Sequence, residues 1–527
     1  MNGRKYLAID LLYFKEHELI EEKEPDQEIN LIKREINCSK LLSLGFLLKE
    51  RVNTYLRLTP YFVGDEYPRG GFTINLAFIT NGFALAYPTI ALSQLTNNGT
   101  ESCSFVMSKE EGSWFAGLLG IGGICGSVFF GTLIGQRIGN RKTLLLAAIL
   151  DIIGWLLIAF AVNSPMMMGG RFLNGVFVGT IGPSGYTFLS EIMHRKHRAS
   201  CSQATSVAIS AGMLVTYGLG SVISWNLLAI GCGISSVLFF IMLLTMPDSP
   251  YWNASIGKIE EAKKSLSHFR SKKDDVEEEF KEIMEGIQKS IKKEKISFFE
   301  AMKLLFTDET CYKPFIILSV LFLIQTLSGL YAVIAYAIQV LEESRTPIDT
   351  NLGTIISGAM RLFFGTLAIP LFFYLPRKTL MYISTGLACL SISSLGILGL
   401  LELETNTFTT YFPVGAISLY MVSFTFGFQS IPFLYLGEYY PPHVRQHLAG
   451  LTSTLRFLGF FIMLKLFPQM MEFFGPNYTF IFLGLVCLFA GIYAKVVLPE
   501  TKGLTLNQIQ DLFRTKKECS DVETNRL

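Results

Sequence analysis

Charge is scarce in this sequence. Only 17% of its 527 residues are Asp, Glu, Lys or Arg, whereas 50% are hydrophobic, and the mean hydropathy is +0.40. That balance excludes an ordinary soluble enzyme. A formal net charge of +2 offers nothing to nucleic acid, so no nucleic-acid partner is expected. The nine cysteines are scattered, and they form neither a disulfide framework nor a metal-binding pattern. No G-x-x-x-x-G-K-[ST] loop occurs, so there is no basis for direct ATP drive, and no cofactor is implied. The chain opens on a polar, charged stretch rather than a signal peptide.

What the sequence has in abundance is long apolar runs, among them "TLLLAAILDIIGWLLIAFAV", "WNLLAIGCGISSVLFFIMLL" and "YTFIFLGLVCLFAGIYAKVVL". Each approaches the roughly 20 residues needed to cross a ~30 Å hydrocarbon core. Forty-three phenylalanines fit the same environment. About twelve such spans are expected. Six begin near Gly71, Ser113, Thr143, Pro165, Cys201 and Asn226, and six near Pro314, Thr350, Leu380, Thr410, Leu448 and Asn477. The reading is an all-α membrane protein with a polar tail (1–70), a six-helix bundle (71–246), a charged linker with short amphipathic helices (247–313), a second six-helix bundle (314–498) and a final tail (499–527).

Loop charge predicts orientation. Arg137, Arg141, Lys142, Arg195, Lys196, Arg198, Arg377 and Lys378 fall between spans on one side. The opposite loops carry Glu101, Glu110, Glu111, Glu342, Glu343, Asp349, Glu402 and Glu404. The positive-inside rule then places both termini in the cytoplasm. Cys103 and the Asn98-Gly99-Thr100 acceptor fall outside, so Asn98 is a glycosylation candidate. The plasma membrane is the expected location; "YLAI" at Tyr6 is a four-residue match to endosomal sorting motifs and is common by chance.

The two halves repeat. "GQRIGNRK" follows the second span and "FYLPRK" the eighth; "SEIMHRKHRAS" follows the fourth and "GEYYPPHVRQH" the tenth. The latter pair each set Glu and Arg seven residues apart: Glu191 with Arg198, and Glu438 with Arg445. Paired six-helix halves belong to transporters with a site between the repeats. Five motifs in order sharpen this: "GRFLNGVFVG", "PDSPYW", "QTLSG", "SIPFLYLGE" and "LPETKGLTLNQIQ". Together they resemble the sugar porter family of the major facilitator superfamily, most closely the insect facilitated trehalose transporter-like proteins. The resemblance implies twelve transmembrane helices in two six-helix bundles. It also implies a monomer that moves a small solute, trehalose or hexose, through the lipid bilayer by alternating access, with no covalent chemistry.

From the same resemblance, Arg137, Arg141, Glu191, Arg198, Glu438 and Arg445 match a set that pairs across the bundles when the cell side is closed and separates when it opens. Such charges bias a two-state equilibrium more than they stabilise the fold. Phe373 and Tyr374 replace the charged pair expected after the eighth span, which predicts a weaker lock in the second half.

The seventh span carries Gln325, Ser328, Gly329, Ala332 and Tyr336 at the spacing of one helical face. Polar groups there are costly against lipid, so the face meets another helix or a wet cavity. The resemblance makes it a substrate wall, but one with substituted side chains. Gln325 matches the family's first Gln, whereas Thr326, Tyr331, Tyr217, Arg361, Phe433 and Arg456-Phe457 stand where relatives carry Gln, Asn or Trp. An arginine at mid-bilayer costs roughly 2.5–3.5 kcal/mol on insertion scales. Its fork of donors suits a carboxylate or phosphate, though it also binds hydroxyls, pairs with an acid or snorkels to an interface.

Asp151, roughly 14 Å into the third span at ~1.5 Å per residue, lies within reach of Arg171 through the hairpin, an expected intramembrane pair. The first span lacks an acid of the kind proton-coupled relatives carry, which favours a uniporter. The leading reading is a facilitative sugar transporter, with no metal and no enzymatic step. An organic-anion transporter using Arg361 and Arg456, and a non-transporting nutrient sensor, are the rivals.

Overall fold

The computed structural model describes residues 69–96, 105–193, 198–270, 276–291, 298–343, 348–401, 407–441, 444–502, 504 and 506–513. Most of the polar tail, residues 1–68, and the Asn98 acceptor lie outside the described residues.

Every described element is a helix. Ten helices are long and apolar enough to cross a membrane. Two more complete the twelve expected spans: a composite fourth span (Ser164–Thr180, Ile181–Gly185, Tyr186–Ile192) and a fifth (Arg198–Gly220). The remaining spans in the first half are Arg69–Thr96, Lys109–Cys125 with its extension to Ile138, Asn140–Ala159 and Trp225–Leu244. Their starts are written in short capping signals. Ser108 and Glu111 close a reciprocal capping box ahead of the second span, with the Glu111 amide donating to Ser108 Oγ at 3.2 Å and the Ser108 amide to Glu111 Oε2 at 2.9 Å. Asn163 accepts from the Met166 amide at 3.0 Å, with Pro165 beside it in the first turn. Asp308 and Asp349 cap the seventh and eighth spans in the same way.

Between the halves run four short helices: Pro250–Ser255, Ile259–His268, Val276–Ile291 and Phe298–Thr307. Ala254, Ala262, Leu266 and Ile283 form a small core of their own. Arg270 fixes this layer to the first half. Its guanidinium pairs with both oxygens of Glu279, at 2.6 and 2.7 Å, and also donates to the Ile192 carbonyl at 2.8 Å.

Two spans depart from the periodic pattern. A continuous polar face over Gln325–Tyr336 does not form. The helix Glu309–Leu327 ends there, Gly329 takes φ +82°, and the chain restarts as Leu330–Ala335 and then Ala337–Glu343. The physical reason is local: Gly329 occupies the left-handed region, where a Cβ is disfavoured, and a Cβ there would also lie 2.7 Å from Leu483 Cδ2. The tenth span breaks likewise, Thr407–Ser423 passing through a tight turn at Phe424–Phe426 before Ile431–Tyr439. Each remaining span of the second half is one helix: Thr350–Tyr374, Arg377–Leu400, Arg445–Phe473 and Pro476–Val496.

Helices meet through glycine. A Cβ at Gly122 would collide with the Phe172 carbonyl, one at Gly126 with that of Val176, and one at Gly179 with that of Gly123, so spans two and four touch backbone to backbone. Gly82 and Gly212 do the same for spans one and five. Without a hydrophobic force between helices in lipid, such close approach supplies the packing energy.

Gly212→Ala or Gly122→Ala is therefore expected to lower stability by about 1–3 kcal/mol through overpacking. Gly231→Ala, where a Cβ meets nothing within 4 Å, should be neutral or stabilise by up to ~1 kcal/mol. Melting temperature and monodispersity of the purified protein in detergent check both; equal behaviour of the three variants would remove the packing argument.

Candidate functional site

A small cavity of about 50 Å³ lies where spans one, four, five, seven, ten and eleven converge. Ligand pockets run to ~300–1,000 Å³, so this conformation encloses the site without room for a sugar. Four of the sequence-predicted residues line it: Tyr331, Phe433, Arg456 and Phe457. Asn81, Tyr186, Ser206, Gln429, Ser430 and Phe460 join them from outside the predicted set. Asn81 was legible in principle as an amide inside an apolar span; the serines carried no comparable signal.

The walls are aromatic. Tyr186 stacks on Phe433 at 5.7 Å between ring centres, Phe78 packs on Tyr186 at 4.8 Å, and Tyr331 on Phe460 at 5.1 Å. Among these faces sit polar atoms with no protein partner: Asn81 Oδ1, Ser206 Oγ, Ser430 Oγ and Arg456 Nε. Buried polar atoms are normally paired, so a cluster of unpaired ones around one cavity is the mark of a ligand site. Arg456 is 7% exposed, which rules out snorkelling in this conformation. Its guanidinium lies 3.9 Å over the Phe457 ring and 5.2 Å from that of Phe433.

The other predicted wall residues lie behind the cavity. Gln325 donates to the carbonyls of Phe428 and Gln429 (3.4 Å to the latter), holding the unwound part of span ten. Thr326 bonds the carbonyls of Phe322 and Leu323 on its own helix. Tyr217 is fully buried and donates to the Ile334 carbonyl at 3.2 Å, an oxygen that also accepts from Thr89. Arg361, also fully buried, donates to Ser210 Oγ at 3.2 Å, the Met421 carbonyl at 2.9 Å and Gln429 Oε1. It thereby positions Gln429, which does line the cavity. Gln325, Tyr217 and Arg361 bond carbonyls of the broken spans instead of forming the wall, because interrupted helices expose carbonyls that need donors, whereas Thr326 bonds only its own helix.

The Asp151–Arg171 contact does not form. Asp151 accepts from Ser236 Oγ at 2.6 Å, Asn174 Nδ2 at 2.9 Å and Trp155 Nε1 at 3.2 Å. Arg171 donates to the Ala84 carbonyl at 2.6 Å and lies 5.3 Å from the Phe115 ring centre. Neutral donors closer at hand satisfy the carboxylate first.

At the basic end, the observed polar contacts of the predicted gate stay within one half rather than crossing. Arg141 pairs with Asp248 at 3.4 Å and with the carbonyls of Leu243 and Leu244. Asn140 reaches Glu191 at 3.5 Å, and Arg445 donates to the Tyr440 carbonyl. Arg137 is exposed; the Arg198 side chain lies outside the described residues. The second half is not weakly tied. Arg377 of "FYLPRK" donates to Glu438 and to Thr501 Oγ1, and its amide to Glu500 at 3.2 Å. Burial tends to raise the pKa of Glu500, but the amides of Lys378, Lys502, Arg377 and Thr501 outweigh it and hold the carboxyl below its ordinary value. Crossing contacts exist elsewhere. Lys465 on span eleven donates to Ser113 Oγ at 2.8 Å, with Glu110 at 3.8 Å and the Trp114 ring centre at 4.5 Å. Toward the basic end Gln203 donates to the Thr425 carbonyl at 3.2 Å, and Ser127 meets Thr454 at 3.2 Å. The cavity is thus bracketed by contacts between the halves on both sides.

Two outcomes are expected. Tyr217→Phe removes one donor from Ile334, a change of about 1 kcal/mol, and should shift the equilibrium roughly five-fold toward opening at the acidic end, read by labelling of a cysteine placed at Tyr331; unchanged labelling would mean that this bond between the halves does not hold that end shut. For Glu500 the depressed pKa stabilises the fold above the unfolded value of ~4.3 and loses that effect as pH falls below it. Wild type should therefore melt above Glu500→Gln at pH 7, and the two curves should converge only once pH falls below the depressed pKa of the folded carboxyl.

The family described as sugar (and other) transporter matches residues 71–513. A facilitated trehalose transporter Tret1-2 homolog of Drosophila sechellia is 31% identical over 446 residues, covering 83% of this chain and 89% of that one. Facilitated trehalose transporter Tret1 of Apis mellifera ligustica is 30% identical, with 84% and 86% covered. Among solved structures, the proton:xylose symporter XylE bound to 6-bromo-6-deoxy-D-glucose superposes with a TM-score of 0.70 at 21% identity, over 85% of this chain and 98% of that one. The inward-open xylose transporter XylE from E. coli gives 0.67 at 20% identity, with 84% and 99% covered; both are likenesses of fold. Twelve membrane helices around a small central cavity, matched along nearly their whole length, make this chain a member of the sugar transporter family of the major facilitator superfamily, a transporter and not an enzyme.

Proposed function

We propose that this protein is a uniporter carrying a sugar across the plasma membrane by alternating access, with trehalose and hexoses as its neutral candidates. The observation that carries the reading is the central cavity, with aromatic faces and unpaired polar atoms, enclosed by contacts between the two halves on both sides. An enclosed site that opens to either side in turn is what facilitated exchange requires. Relatives named for trehalose transport support the substrate class. The absence of an acidic residue in the first span supports uniport.

In this reading the basic end faces the cytoplasm, and Arg141, Glu191, Glu438 and Arg445, with Arg377, tune closure there. Lys465, Ser113 and Trp114 close the outer mouth. Opening separates these contacts and expands the cavity around Asn81 and Ser430, which supply hydrogen bonds to sugar hydroxyls, while Phe433 and Tyr186 offer flat faces to the ring. The protomer works alone, since each contains a complete path.

Counterflow in proteoliposomes tests the reading. Vesicles preloaded with unlabelled trehalose or glucose should accumulate labelled tracer, and collapsing a proton gradient should leave the rate unchanged. Asn81→Ala should raise the half-saturating concentration about ten-fold, the worth of a good hydrogen bond at ~1.4 kcal/mol. Binding without tracer accumulation would instead make the protein a nutrient sensor.

A further inference from the structure

Among the described residues the membrane core holds three buried arginines, and two of them bond protein atoms. Arg361 spends its donors on Ser210, Met421 and Gln429. Arg171 bonds the Ala84 carbonyl and has the Asp151 charge within electrostatic range. Arg456 differs from both. It lies about 16 Å along its helix, at ~1.5 Å per residue, is 7% exposed and donates no hydrogen bond to the protein. Its Nε is buried and without a partner, as is that of Arg171, but Arg171 has the Ala84 carbonyl as an acceptor and Arg456 has none among the described residues. Among the described residues its electrostatic neighbours are the hydroxyls of Tyr331 and Tyr186, and no Asp or Glu lines the cavity.

The surroundings orient the group rather than neutralise it. Phe457, 3.9 Å away, and Phe433, 5.2 Å away, lie against the guanidinium. Such cation–π contacts offset part of the desolvation. They occupy no hydrogen-bond donor of the group, so its donors remain available to the cavity that Arg456 lines. A guanidinium edge recognises a carboxylate through two parallel charge-assisted hydrogen bonds. A neutral hydroxyl would accept a hydrogen bond there but would leave the buried positive charge uncompensated. Arg361 adds a second positive charge directly behind Gln429, on another side of the same cavity. Asn81 Oδ1, Ser206 Oγ and Ser430 Oγ, unpaired at the same site, are groups suited to hydroxyls.

We propose that the preferred solute of this cavity is a sugar that bears a carboxylate, a sugar acid, with Arg456 as the residue that binds the charge and Asn81, Ser206 and Ser430 as the residues that meet the hydroxyls. The proposal rests on the transport reading above for the idea that the cavity opens to a solute, and it narrows the solute's class.

The test compares D-glucuronate with D-glucose, which share a ring and differ in a carboxylate at one carbon. Binding to the purified full-length protein is measured by calorimetry at pH 7, and exchange by counterflow in proteoliposomes. Glucuronate is expected to bind at least ten-fold more tightly than glucose and to exchange. Arg456→Gln should bring the two within about two-fold, and Arg456→Lys should keep part of the preference. Should Arg456→Gln fail to fold, the wild-type preference and the Lys variant still decide. Equal or tighter binding of glucose overturns the proposal, as does a preference that persists unchanged in Arg456→Gln. Inorganic phosphate or chloride displacing glucuronate at equal concentration also overturns it, leaving a plain anion site. Glucose or trehalose exchange with glucuronate inert defeats the proposal and leaves the transport reading standing. Tight glucuronate binding with no exchange does the reverse.

Discussion

A backbone carbonyl in hydrocarbon has no water to turn to, and the centre of this protein is organised by that fact. Spans seven and ten are interrupted at the depth of the cavity, so several of their carbonyls lose the amide that an unbroken helix would supply. Side chains from neighbouring helices take them up. Thr89 and Tyr217 reach Ile334, Tyr420 reaches Ser328, Gln325 reaches Phe428 and Gln429, and Ser384 bridges the Ser423 carbonyl and the Phe428 amide. Two of these donors, Thr89 and Tyr217, come from the opposite half. The same bonds that make a broken helix tolerable therefore also join the halves, and satisfying the backbone and closing the path become one event.

Polar residues in the core fall into two populations on this basis. One bonds protein atoms several times over: Asp151 with three donors, Arg361 with three acceptors, the Gln325 amide nitrogen with two carbonyls. These hold the frame. The other has buried atoms without a partner, and Asn81, Ser206, Ser430 and Arg456 are its members around the cavity. Residue type does not separate the populations, since each contains an arginine and an amide or hydroxyl. What separates them is whether protein atoms or an open volume lie in front of the side chain. The charge networks at the basic end show the same economy of placement. Arg377 stands three residues beyond the lost charged pair of the family pattern, yet ties Glu438, Thr501 and Glu500 together, so the second half keeps a lock made from different residues.

Helix count, the division into halves and the family were legible in the sequence, because hydrocarbon thickness dictates the length of a span and the motifs at span ends lie at fixed offsets from it. Caps such as Ser108 with Glu111 and Asn163 with Pro165 are local, involving atoms three residues apart, and a linear reading reaches them. The broken seventh span was not legible, since a polar face at helical spacing reads the same whether or not Gly329 takes a left-handed conformation. Tyr217, Arg361, Gln325 and Thr326 were correctly recognised as unusual inside a membrane, but their roles were assigned to a wall they stand behind. Only the tertiary structure decided that, because a side chain's work in a low-dielectric interior depends on which atoms lie within about 3 Å of it, and those atoms come from helices up to hundreds of residues away in the chain.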